Sequence, residues 1–133
     1  MSQFNNKRNA GSQYNNGFVA KPTDSMYPKL SIEFLDLKTA LIQKKEKLSI
    51  FKTLSFVLGL TWREIRQLGK DGIGFETFSL DELKCAYPTA SLFDRIDKVT
   101  VFHRQGDIPL IGFKVQEVFY LFHIDREFKA YKH

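Results

Sequence analysis

The sequence predicts an α+β fold, with helices packed on one face of an antiparallel sheet that ends in a three-stranded meander. Three observations predict it. Apolar residues recur at helical spacing between residues 48 and 68. Three β-rich runs, KVTVFHRQ, PLIGFKVQ and EVFYLFHID, then follow one another closely, and such tight spacing favours antiparallel neighbours. One alternating run, PKLSIEFLDL, stands ahead of the helices.

Residues 1–27 read as a flexible Asn/Gln/Gly-rich tail, and residues 28–133 as a single domain. The tail has no period of 2 or 3.6, so it cannot bury enough apolar area to offset its ordering entropy. In PKLSIEFLDL, Leu30, Ile32 and Phe34 alternate with Ser31 and Glu33, the pattern of a half-buried strand. Lys44, Lys45 and Lys47 are expected in a loop, because a helix start is better served by acids. In the helix that follows, Leu48, Phe51, Leu54, Ser55 and Leu58 share one face, and Gly59 stops it. Thr61 and Glu64 have capping-box spacing and open the helix TWREIRQL. Gly69 and the KDG at 70–72 end that helix. GIGFETF reads as a short strand, and Ser79-Leu80-Asp81-Glu82 as a second capped turn.

In the meander, QGDI supplies a turn between the first two strands. The join at Val115-Gln116-Glu117 lacks a turn residue. In the third strand Val118, Tyr120, Phe122 and Ile124 point one way, and Phe119, Leu121, His123 and Asp125 the other. Both faces begin apolar, so this strand is expected to be covered on both sides.

Composition narrows the function classes. No apolar run is long enough to span a bilayer, and the first residues lack the apolar core of a secretory signal. Cys85 is the single cysteine, which fits a reducing compartment; the expectation is a cytoplasmic protein without a membrane partner. Net charge is +5, but Lys7, Arg8, Lys21 and Lys29 against Asp24 place +3 of it before residue 30. The domain itself therefore carries a modest basic excess. Phosphate-loop, dinucleotide-loop and nucleophile-elbow motifs are absent, and no cofactor is expected.

Three constellations remain. The first is His103, His123 and Asp125, an acid–base or metal candidate if the meander register joins them. Their spacing matches no zinc signature, so no metal site is assigned. The second is the basic and aromatic set Arg104, Lys114, Arg126, Lys129, Tyr131 and Lys132, the residue types that bind and stack on RNA. Its alternative is a solvated strand edge guarded by lysines. The third is a helix-turn-helix pattern over SIFKTLSFVLGLTWREIRQL, which would offer Arg63, Arg66 and Gln67 to a DNA groove, with Trp62 equally readable as a core anchor.

The stretches LTWREI, PLIGFKVQEVFYLFHIDREFKAYKH and SIEFLDL resemble a family of small bacterial and mobile-element proteins over nearly all of residues 30–133. That resemblance implies a setting rather than a mechanism. The order of elements also resembles RelE-type mRNA-cleaving toxins, which orient RNA and stabilise phosphate charge with scattered cations and a C-terminal tyrosine or histidine. The resemblance implies a metal-independent endoribonuclease acting on RNA at the ribosome, with Arg104, Arg126, Tyr131 and His133 as catalytic residues and Lys114, Lys129 and Lys132 as RNA contacts. In this chain a strand precedes the helices, and the second meander strand offers only Lys114 where an arginine is expected. The expected function is RNA binding with toxin-like cleavage. The alternatives are a DNA-binding regulator and a non-catalytic protein-interaction module of antitoxin, immunity or phage-accessory type, and whether the chain is an enzyme stays open.

Overall fold

The structure, a computed structural model, describes residues 23–36, 43–68, 75–104 and 106–132. The expectations for residues 1–22, for the turn at 69–72 and for His133 lie outside the described residues. The elements are β1 (Lys29–Ser31), α1 (Lys44–Val57), α2 (Trp62–Leu68), β2 (Phe75–Ser79), β3 (Lys98–Phe102), β4 (Leu110–Val115) and β5 (Val118–Ile124). Two short 3-10 turns, Leu80–Glu82 and Ser91–Phe93, lie between β2 and β3.

The fold is α+β, and its five strands form one sheet in the order β1-β5-β4-β3-β2. Strands β2 to β5 pair antiparallel in sequence order, so the meander includes one strand more than expected. β1 pairs parallel with β5, Lys29 opposite Val118, so the sheet is mixed rather than antiparallel. Alternation reads the same in both directions along a strand, so the pattern at 30–34 carried no sign of its direction. The Glu117 carbonyl oxygen anchors the arrangement: it accepts from the Lys29 N–H and from the Trp62 indole N–H, each at 3.0 Å.

The helices cover one face. Ile50 and Val57 of α1 and Trp62 and Ile65 of α2 pack with Phe102, Leu110, Phe119, Leu121 and Ile124. Trp62 is fully buried, stacks on Phe102 at 6.0 Å and carries the Lys114 ammonium 4.9 Å above its ring. The other face holds Val99, Val101, Ile111, Phe113 and Phe122 under Phe93, Ala130 and Tyr131. The segment after β5 thus folds back as a strap over the sheet face opposite the helices.

α1 differs from expectation in two respects. It begins at Lys44, so Lys44, Lys45 and Lys47 lie in its first turn rather than in a loop. Glu46 makes this tolerable: its carboxylate accepts from the Gln43 N–H at 2.7 Å and pairs with Arg126 at 3.0 Å, which places a negative group at the helix start. The buried row is Ile50, Thr53 and Val57, while Leu48 and Phe51 are exposed. Both rows have helical spacing, and only docking against α2 and the sheet selects between them. α2 opens as expected: the Thr61 N–H donates to Glu64 at 2.8 Å and the Glu64 N–H donates to the Thr61 hydroxyl at 3.2 Å.

Packing reaches back to Thr23, inside the stretch read as a tail. The Arg63 and Trp62 N–H groups donate to the carbonyls of Asp24 and Met26 at 3.0 Å. The β4–β5 turn needs no glycine, because Gln116 itself takes a positive φ of 57°.

Candidate functional site

The exit of β5 is set by a register shift. Gly112 lies opposite Leu121 and Ile111 opposite His123, so Phe122 is an extra residue in β5. A side chain at Gly112 would meet the Tyr120 carbonyl and come 2.6 Å from the Phe119 ring, so the close approach demands glycine. The shift has a directional consequence. His123 and Asp125 share a face, as expected, but it is the face of Ile111 and the strap rather than that of Phe119 and Leu121. Ile124 correspondingly joins the helix side.

Asp125 is buried and its carboxylate organises the strap. Oδ1 accepts from the N–H of Lys129 at 2.9 Å and of Ala130 at 3.2 Å. The Lys84 N–H donates to the Ala130 carbonyl at 2.6 Å, and Tyr131 stacks on Phe78 at 4.7 Å. Between β5, the strap and the start of α1 lies a cleft of about 520 Å³, lined among others by Glu46, Lys84, Cys85, His123, Asp125 and Arg126.

The chemistry of that cleft is muted. Burial pushes the Cys85 thiol up to about 11, with the Asp125 charge adding to it, so the sulfur stays protonated at neutral pH. Burial lowers the His123 pKa against the opposing pull of Asp125 and Asp36, so the imidazole is neutral. Its Nε2 lies 4.0 Å from Asp125 Oδ1, beyond hydrogen-bond distance. The carboxylate is already committed to backbone N–H groups. The His103 ring packs against Phe128 at 5.6 Å.

Among the described residues, those expected to cleave RNA, Arg104, Arg126 and Tyr131, do not converge. Arg104 lies beside α1, its Nη1 3.5 Å from the Lys52 carbonyl and its guanidinium 5.3 Å from the Phe56 ring centre. Arg126 is held by Glu46 at the opposite end of the same helix, and the Gln43 N–H first, with Arg126 next, keeps the Glu46 carboxyl below its ordinary range. Tyr131 is buried on the strap face and donates to Glu76 at 3.3 Å; burial first, and Glu76 next, push its hydroxyl pKa far upward. His133 is outside the described residues.

Among the expected nucleic-acid contacts, Lys114 is half-buried over Trp62 and reaches the Thr23 hydroxyl at 3.3 Å. Lys129 and Lys132 are exposed, and the Lys129–Glu127 pair at 3.5 Å is itself solvated. On α2, Arg63 and Gln67 are exposed. Arg66 is tied to Asp24 at 2.8 Å, which raises its pKa. Trp62 is the core anchor rather than a groove contact. Among the described residues no group of three or more His, Cys, Asp or Glu side chains could hold a metal, and no helix is long and apolar enough to cross a membrane.

Sequence reasoning missed the outer face of α1. Leu48 is 57% exposed, Phe51 70% and Phe56 42%. With Lys52, Ser55 and Arg104 they line a shallow groove of about 530 Å³. The signal was present: α1 carries apolar residues at more positions than one core-facing stripe requires, which marks a helix with a second buried face or a binding face. The chain matches no protein-family model, no curated protein and no solved structure in the three comparisons made.

Proposed function

We propose that this protein is a non-catalytic protein-interaction module that docks through the outer face of α1. The observation that supports this reading is the row of Leu48, Phe51 and Phe56, three large apolar side chains turned to solvent on a helix whose other face already fills the core. Water around such a row is released on docking, and each large side chain that becomes buried contributes about 1.5–3 kcal/mol. The dispersed cations and the committed Asp125 offer no comparable argument for a reaction centre.

The test is affinity purification of the tagged chain from its own cells, with and without nuclease, beside a Leu48→Ser/Phe51→Ser variant. A defined protein retained after nuclease treatment and lost with the variant carries the reading. Recovery that disappears with ribonuclease and survives the variant overturns it. That outcome would favour RNA binding, for which the exposed Lys129 and Lys132 beside Arg126 are the supporting observation. Growth arrest on expression, abolished by Arg126→Ala, would extend that second reading to a toxin. The DNA-regulator reading draws least support, since the first N–H groups of α2 are taken by Asp24 and Met26.

A further inference from the structure

We infer that the occupant of the α1 groove is an acidic amphipathic helix supplied by a different protein; this rests on the docking reading above and adds the partner's chemistry. The first argument is charge. The exposed side of α1 carries Lys44, Lys45, Lys47 and Lys52 around the apolar row, and Arg104 stands at the groove wall. The helix has one carboxylate, Glu46, and it is turned to Arg126 and the Gln43 N–H. The apolar row is therefore rimmed by cations with no acid of α1 among them; Asp107, which accepts from Ser49 at 2.9 Å, lies 4.0 Å from Arg104 and offsets that cation, which leaves the four lysines for a ligand that brings carboxylates.

The same count removes the two occupants nearest at hand. A second copy of the chain would set lysines against lysines across a two-fold axis. Residues 1–22 hold Lys7, Arg8 and Lys21 and no Asp or Glu, so they repeat the charge of the groove instead of balancing it. A separate partner with carboxylates supplies the charge that neither of these two does.

The second argument is shape. Arg104 packs over Phe56 and reaches the Lys52 carbonyl, so it borders the shallow groove on one side along the helix. Leu48 and Phe56 are about 12 Å apart along the axis, two turns of helix, which a partner helix spans with apolar residues at i, i+3 or i+4, and i+7.

The experiment titrates the full chain into a labelled helical peptide with leucines at that spacing and glutamates elsewhere, and into its glutamine counterpart. Phosphatidylglycerol vesicles and single-stranded RNA serve as rival probes. The glutamate peptide is expected to bind about tenfold more tightly than the glutamine one, to weaken as salt is raised, and to be lost on Phe51→Ser and weakened on Lys45→Glu/Lys52→Glu. Equal binding of the two peptides through Phe51 would overturn the acidic partner while leaving docking at α1 intact. Binding of vesicles or RNA but of neither peptide, lost on Phe51→Ser, would overturn both, and failure of all four probes would overturn the acidic helix.

Discussion

Asp125 shows how one carboxylate can be structural where its neighbours invite a catalytic reading. Buried, with two backbone N–H groups on Oδ1, it closes the turn that returns the strap to the sheet. Asp125→Ala is expected to cost about 2–3 kcal/mol, the range for charge-assisted hydrogen bonds lost together, read as a drop in the urea midpoint; an unchanged midpoint would refute the role. His123 carries a pH signature of its own. Its folded pKa lies below the ordinary 6.5, so the unfolded chain takes up the proton first. The stability tied to neutral His123 is complete above that value, falls as pH drops through 6.5, and stops falling below the folded pKa. Urea midpoints at several pH values should show this loss in the native chain and a shallower one in His123→Gln. That His123 and Asp125 share a face was legible from their spacing. The side of the sheet they face was not, because the extra Phe122 is an apolar residue among apolar residues. Gly112, a lone glycine inside a strand, was the one available hint of the shift.

At the scale of elements, signals held where local chemistry decides and failed where docking decides. The Thr61–Glu64 cap could be read directly, since donors and acceptors sit three residues apart whatever surrounds them. The buried row of α1 could not, because two apolar rows fit one period and the choice belongs to α2 and the sheet. The contrast is measurable. Ile50→Ala should cost about 2–4 kcal/mol, since Ile50 belongs to the helix-side core, whereas Phe51→Ser should leave stability within about 0.5 kcal/mol. Thermal or urea unfolding of the two variants side by side checks it, and similar losses would mean that Phe51 is covered by other residues of the chain. The lysines at the start of α1 are the converse case: the rule against cations there is sound, but Glu46, three residues after Gln43, accepts from its N–H and caps the helix start, a local signal that the run of lysines masked.

At the scale of the whole molecule, the class and the consecutive antiparallel strands were legible, while the site was not. The candidate residues share a composition suited to RNA, yet they are spread over two sheet faces and both ends of α1, and composition carries no information about convergence. The parallel pairing of β1 with β5 was equally hidden, and it bears on time as well as space. Among the described strands β1 leaves the ribosome before all others, and the neighbour it needs, at Val118, comes after all the rest. Closing so long a loop is slower than zipping the local hairpins. In pulse-labelled exchange during refolding, the amides of β4 and β5 should gain protection before the Lys29 N–H; simultaneous protection would contradict this order. During synthesis, then, β1 emerges well before the strand it pairs with, and its backbone on that edge is expected to stay unpaired until β5 follows.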